Sequence, residues 1–146
     1  MIRAFKSSDK DILLGMAKRM HQESEWSVLP FSDEQAGNIA HKVMGGDYAC
    51  FVAEDIQVVG MIVGFVAPHY FTQATIAADL LCYVTPEKRG GTYGFRLIKA
   101  FEQWAYEQGA SMVTLGITTG INTERTARLY EKLGYKQSGL ILRKEL

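Results

Sequence analysis

The chain has 146 residues, of which 47% are hydrophobic and 22% charged, and its 16 basic residues balance its 16 acidic ones. This length predicts a single domain over residues 1–146 with a core of its own. Because the chain has no net charge, we do not expect it to bind nucleic acid or an anionic membrane surface. No stretch resembles a signal peptide or a membrane-spanning helix, so we expect a cytoplasmic protein.

The first half of the sequence predicts one strand, two helices and a β-hairpin. "MIRAF" has the pattern of a short strand, and Ser8 is placed to cap an amphipathic helix. Pro30 interrupts that pattern, and Ser32 followed by Gln35 is typical of the start of a second helix. "YACFVAED" and "VVGMIVGFVAP" are rich in Val and aromatic residues and predict the hairpin.

The second half alternates strands with helices. "TIAADLLCYV" predicts a central strand, and the helix after it ends at Gly109. A strand in "MVTLGIT", a helix in "TERTARLYEKLG" and a last strand in "YKQSGLILRKEL" complete the pattern. This order predicts an α/β fold, with a mixed sheet of about six strands flanked by four helices.

The two cysteines offer no metal or redox motif. Cys50 and Cys82 lie in apolar runs with no ligand spacing between them. We therefore expect two reduced core thiols and no metal site.

The glycine-rich turn in "VTPEKRGGTYGFRLIKAF", residues 84–101, connects the central strand to a helix. Glycines allow close approach of the backbone, and the first N–H groups of a helix are free to bind an anion. The turn lacks the Gly-Lys-Ser/Thr ending of a nucleotide P-loop, and its spacing does not fit a dinucleotide fingerprint. Two interpretations remain at this level: a tight connection, or a loop that binds a phosphate or pyrophosphate.

Two motifs resemble those of one family, the GNAT acetyltransferases. Arg89 and Gly94 take the first and last positions of its strand-to-helix signature, although Thr92 replaces the usual central glycine. "NTERTARLYEKLGY", residues 122–135, is similar to its later motif, in which an Asn opens a helix that contains a Tyr. The resemblance implies a mostly antiparallel sheet and transfer of an acetyl group from acetyl-CoA directly to a primary amine, in a ternary complex.

The resemblance also implies roles for individual residues. Tyr130 is the expected general acid toward the CoA thiolate. Asp79 is the candidate base, with Glu23, Glu25, His69 or a relayed water as alternatives. The acceptor pocket is expected at Glu25, Trp26 and Tyr70, where carboxylates beside aromatic rings suit a cationic amine. The expected cofactor-binding residues are Tyr83, Val84, Arg89, Gly90, Gly91, Thr92, Tyr93, Gly94, Phe95 and Asn122.

The sequence leaves other functions open. One alternative is a module of the same fold that binds acyl-CoA or a partner protein without turnover. Another is a small α/β binding module that does not bind CoA at all. The donor could also carry a longer acyl chain, and a homodimer, common in the family, is compatible with the sequence.

Overall fold

The computed structural model describes all 146 residues. The helices are α1 (Lys10–Glu23), α2 (Asp33–Met44), α3 (Tyr93–Glu107) and α4 (Thr123–Lys132). The strands are β1 (Ile2–Ala4), β2 (Ala49–Asp55), β3 (Gln57–Pro68), β4 (Thr75–Val84) and β5 (Met112–Thr114).

The five strands form one sheet in the order β1-β2-β3-β4-β5. Strands β2, β3 and β4 are antiparallel neighbours because short connections join them, including a single residue, Ile56, between β2 and β3. Strand β5 runs parallel to β4 because α3 carries the chain back between them. This confirms the predicted fold class, a mixed and mostly antiparallel sheet with four helices.

The strand count differs from the predicted six, because the segment after α4 forms no strand. Strand β5 pairs with β4 at only three positions, Ile76–Ala78 with Met112–Thr114. Strand β5 remains the edge of the sheet, and the last segment makes no backbone pairing with it. Three consecutive apolar side chains of the last segment, Leu140, Ile141 and Leu142, remain mostly exposed.

One of the two predicted helix caps is wrong. Ser32 does cap α2, since its hydroxyl accepts a hydrogen bond from the Gln35 N–H at 3.2 Å. Ser8 instead lies in a 3₁₀ turn, and α1 follows Asp9. The Asp9 carboxylate accepts hydrogen bonds from the Arg3 guanidinium at 2.8 and 2.9 Å and from the Lys6 N–H at 2.7 Å. These bonds fix the turn and move the helix start beyond Ser8.

Helices cover both faces of the sheet. Leu97, Ile98 and Phe101 of α3 form one apolar cluster, which Tyr130 of α4 joins. Leu13 and Met16 of α1 form the other cluster, with part of α2 packed against it. Phe101 comes so close to β3 that Gly64 is required there, since a Cβ would lie 2.5 Å from the Phe101 ring.

A bulge in β4 decides which side chains face which helices. Opposite β3, Leu81 pairs with Val63 and Asp79 pairs with Gly64, so Leu80 has no partner. Before the bulge, Ala77 packs in the α3 cluster; after it, Tyr83 packs in the α1 cluster. Strict alternation would have placed Ala77 and Tyr83 on the same face. The bulge therefore turns Cys82 toward α3 and α4.

Candidate functional site

A cavity of about 560 Å³ opens where β4 and β5 separate. The pairing of the two strands ends at Ala78 of β4 and Thr114 of β5. Beyond that point, the second half of β4 forms one wall, and the segment after β5 with α4 forms the other. The glycine-rich turn and the start of α3 close one end. The cavity is thus a product of the short β4–β5 pairing.

The backbone of the glycine-rich turn is unstrained. Gly90 has a φ of +89°, a conformation that favours glycine, and Thr92 has a φ of −104°, which any residue can adopt. The departure at Thr92 from the family signature therefore distorts nothing. All the predicted cofactor-binding residues except Thr92 line the cavity.

The start of α3 presents free N–H groups to this end of the cavity. Thr92 precedes the helix and makes no side-chain cap, and the first turn contains no acidic residue. The first amides of a helix have no partner within it, and the helix dipole adds partial positive charge there. This end of the cavity can therefore accept an anion.

Arg89 is held by other parts of the protein. Its Nε donates to the Val84 carbonyl at 2.8 Å, and its Nη1 donates to Glu23 Oε1 at 2.8 Å. The guanidinium lies over the Tyr83 ring, 5.2 Å from its centroid, and the Tyr83 hydroxyl also donates to Glu23. Burial alone would raise the pKa of Glu23, but the bonds from Arg89 and Tyr83 hold it below its ordinary value. Arg89 thus links the turn to the end of α1.

Tyr130 has a buried ring and a hydroxyl without a protein partner. The side chain is only 8% exposed and lines the cavity, and every fully buried polar side-chain atom in the protein has a hydrogen bond. The hydroxyl must therefore face the cavity. Burial raises the pKa of Tyr130 far above that of a free phenol, and Cys82 and Asp79 add to the effect. The group remains a proton donor throughout the physiological pH range.

Asp79 marks the point where the strands separate. Its Oδ1 accepts a hydrogen bond from the Gly116 N–H at 2.9 Å, which connects β4 to the segment after β5. Burial raises the pKa of Asp79 to about 6, against the effect of that hydrogen bond. The carboxyl group is thus mostly ionised at neutral pH and can be protonated just below it.

Asn122 also lines the cavity, immediately before α4. It has a φ of +45° and makes no side-chain cap to the helix. Asn tolerates this left-handed conformation better than most residues. Its amide side chain is therefore available to a ligand.

Glu25 and Trp26 do not line the cavity, although Trp26 is bonded to a residue that does. The Trp26 indole N–H donates to the Thr118 carbonyl at 2.7 Å. Glu25 pairs with Arg143 at 3.0 Å, and the Arg143 guanidinium lies 5.0 Å from the centroid of the Trp26 ring. This bridge fastens the loop between α1 and α2 to the segment before α4 and to the last residues of the chain.

Tyr70 is not brought to the cavity. It lies in the β3–β4 loop, is 82% exposed and stacks on His69 with ring centroids 4.1 Å apart. Strand β4 runs from this loop toward the glycine-rich turn, a span of roughly 30 Å at about 3.3 Å per residue. Tyr70 and the turn are thus at opposite ends of the strand.

Sequence reasoning missed several lining residues, among them Leu115, Ile117, Arg125 and Ile141. The first two looked like one face of an ordinary strand, and nothing in the pattern indicated that β5 ends at Thr114. Only Arg125 carries a signal in the sequence, since a cation in the first turn of a helix opposes the helix dipole. The structure contains no group of three His, Cys, Asp or Glu side chains suited to a metal ion. None of its helices is both long and apolar enough to cross a bilayer.

Comparison with known proteins identifies relatives. A model of the acetyltransferase (GNAT) family matches residues 17–135. No curated protein sequence gives a significant match. An acetyltransferase from Trypanosoma brucei has a similar structure, with 21% identity, a TM-score of 0.74 and coverage of 100% of this chain and 99% of that one.

Two further solved structures share the fold. One is a ribosomal-protein-alanine N-acetyltransferase from Brucella melitensis biovar Abortus 2308, with 18% identity, a TM-score of 0.74 and 99% coverage of both chains. The other is an aminoglycoside acetyltransferase from an uncultured soil metagenomic sample, with 12% identity and a TM-score of 0.73, covering 100% of this chain and 97% of that one.

Proposed function

Because the chain belongs to the GNAT family of acetyltransferases, we propose that this enzyme moves an acetyl group from acetyl-CoA directly to a primary amine. The observation that carries the proposal is the cavity between β4 and β5. At one end lies the glycine-rich turn, whose free amides can accept an anion, and two groups suited to proton transfer, Tyr130 and Asp79, line the cavity.

The shape of the cavity suits a CoA thioester. The pyrophosphate would bind the free amides of the turn and of the first turn of α3. The pantetheine arm would lie along the unpaired edge of β4, near the backbone of Tyr83 and Val84, with Asn122 on the opposite wall. Holding the thioester in this way contributes to catalysis by positioning, which can supply up to about 7–11 kcal/mol of a barrier.

Two side chains, Tyr130 and Asp79, would donate and accept the protons of the reaction. The amine nitrogen attacks the thioester carbonyl carbon, the C–S bond breaks, and its electron pair leaves on sulfur. Tyr130 then hydrogen-bonds and protonates the departing thiolate. Asp79, ionised at neutral pH, accepts the proton that the amine loses, either directly or through water.

Direct transfer is supported by the state of the one cysteine in the cavity. Burial raises the pKa of Cys82 to about 12, and the charge of Asp79 adds to the effect. A thiol needs to be a thiolate to take up an acetyl group, so Cys82 is a poor nucleophile here. We expect Cys82→Ser to retain turnover within about threefold, because nothing in the proposed step uses the sulfur. Loss of turnover with trapping of an acetylated Cys82 in the parent enzyme would contradict direct transfer.

The acceptor remains defined by its reacting group, a primary amine. Proteins of the same fold include an aminoglycoside acetyltransferase and a ribosomal-protein-alanine N-acetyltransferase, so the fold does not select between a small molecule and a protein as the acceptor. Two free cysteines suit the reducing cytoplasm in which acetyl-CoA is made available.

Ligand-induced stabilisation tests the proposal. We expect acetyl-CoA and CoA to raise the melting temperature in a saturable way, and ATP to have little effect, because a ligand of the folded state stabilises it by mass action. A panel of amines with acetyl-CoA should then give CoA release. Binding without product from any amine would favour the non-catalytic module, and no shift at millimolar acetyl-CoA would reject the proposal.

A further inference from the structure

Three cationic side chains line the cavity, and two of them are already neutralised. Lys88 pairs with Asp55 of the β2–β3 turn at 2.8 Å, and Arg89 pairs with Glu23 at 2.8 Å. The third, Arg125, has no carboxylate partner and no side-chain hydrogen bond. The uncompensated positive charge of the cavity therefore belongs to Arg125.

Arg125 lies directly against the glycine-rich turn. Its Nη2 is 3.1 Å from the point where a Cβ would stand on Gly90. Gly90 is also the residue of the turn with positive φ, so glycine is favoured there both for the backbone and for the space that Arg125 occupies. The guanidinium and the amides of the turn thus lie around the same region of the cavity.

Arg125 is exposed to solvent and lies at a position of its helix where a cation is slightly unfavourable without an anion. It is the third residue of α4, where the helix dipole is positive and cations are disfavoured. Three of the guanidinium N–H groups of Arg89, by contrast, already bond to Val84 and Glu23. Arg125 therefore has free N–H donors and would be stabilised by a bound anion, whereas most donors of Arg89 are already in use.

We propose that Arg125, and not Arg89, is the side chain that binds the pyrophosphate of the donor, beside the amides of the turn. Arg89 is a positioning residue, which holds the turn against Val84 and the end of α1. This inference rests on the proposed function, because it takes a CoA thioester as the ligand. An arginine fork matches phosphoryl oxygens, so the contact would be a charge-assisted hydrogen bond.

Calorimetric titration of CoA into four proteins tests the assignment. We expect Arg125→Gln to weaken CoA binding about 10–100-fold, as the loss of one charged hydrogen-bonding pair implies. Arg128→Gln is the matched control, because it removes the same charge from an exposed position of the same helix outside the cavity; its affinity should stay within about twofold. Arg89→Gln should lower the melting temperature more than Arg125→Gln does, and weaken CoA binding less.

A second readout separates binding from a structural role. Because Arg125 opposes the helix dipole, Arg125→Gln should leave the melting temperature of the unliganded protein unchanged or higher. The affinity ratio between parent and Arg125→Gln should be the same for dephospho-CoA, which lacks the 3′-phosphate and keeps the pyrophosphate.

The outcomes are distinct. If the parent protein does not bind CoA, the proposed function and this inference both fail. If it binds CoA and Arg125→Gln binds equally well, or Arg89→Gln loses more affinity, only the assignment of Arg125 fails. If the parent and Arg125→Gln bind dephospho-CoA equally well, although they differ in their affinity for CoA, Arg125 contacts the 3′-phosphate and the pyrophosphate contact is overturned.

Discussion

Tyr130→Phe is expected to lower kcat by about 100-fold or more while leaving the Kd for acetyl-CoA within about threefold, because general acid catalysis contributes roughly 10²–10⁴ in rate. The substitution removes only a hydroxyl that has no protein partner, so the fold loses no hydrogen bond. The ring keeps its place in the α3 cluster. Steady-state kinetics with an accepted amine, together with calorimetry of acetyl-CoA binding, would measure the two quantities.

Tyr135→Phe provides the matched control for this change. The Tyr135 ring lies 6.0 Å from that of Tyr130, but its hydroxyl bonds to Glu102 at 3.0 Å and it does not line the cavity. Its removal should cost stability of about 1 kcal/mol and leave kcat nearly unchanged. Equal turnover in Tyr130→Phe and the parent enzyme would remove Tyr130 as the acid.

Gly91→Asp is expected to weaken acetyl-CoA binding by about 100-fold. Its carboxylate would lie in the turn that we assign to the pyrophosphate, and two like charges about 5 Å apart repel by about 3 kcal/mol at an effective dielectric constant of 20. The side chain itself has room, since the nearest atom to a Cβ at Gly91 is the Lys88 carbonyl oxygen at 4.0 Å. The melting temperature without ligand should therefore change little, and calorimetry would report the loss of affinity.

Gly91→Asn separates charge from size in the same experiment. The Asn side chain has nearly the same shape as Asp without the charge, so it should keep most of the affinity. If Gly91→Asp binds acetyl-CoA as well as the parent does, the turn is not the anion site. If both variants lose affinity equally, bulk and not charge is responsible.

The predicted site residues that line the cavity belong to motifs that are short in sequence. The glycine-rich turn lies between the end of β4 at Val84 and the start of α3 at Tyr93, and Tyr130 lies in a helix with a recognisable motif. Both signals lie within about a dozen residues. The turn between β2 and β3 was less readable, because Ile56 adopts a φ of +63° where glycine or asparagine would be usual.

What could not be predicted depends on contacts between distant parts of the chain. No pattern in "TIAADLLCYV" shows that Leu80 is left unpaired, yet this bulge places Cys82 on the same face as Asp79, toward Tyr130, and turns Tyr83 toward Glu23. The hydrogen bond from Trp26 to Thr118, 92 residues away, could not be read from the sequence either. The predicted last strand is absent because strand formation requires pairing with a distant part of the chain, and the segment after α4 makes none.

The short pairing of β4 with β5 leaves the second half of β4 without a neighbouring strand on that side of the sheet. Such an edge ordinarily invites another protein chain to add to it, and so leads to aggregation. Here α3, α4 and the segment after β5 line the space beside that edge, a cavity of about 560 Å³. The residues that cover this edge are therefore also the walls of the proposed ligand site, where we expect a ligand with amide groups of its own to hydrogen-bond to β4.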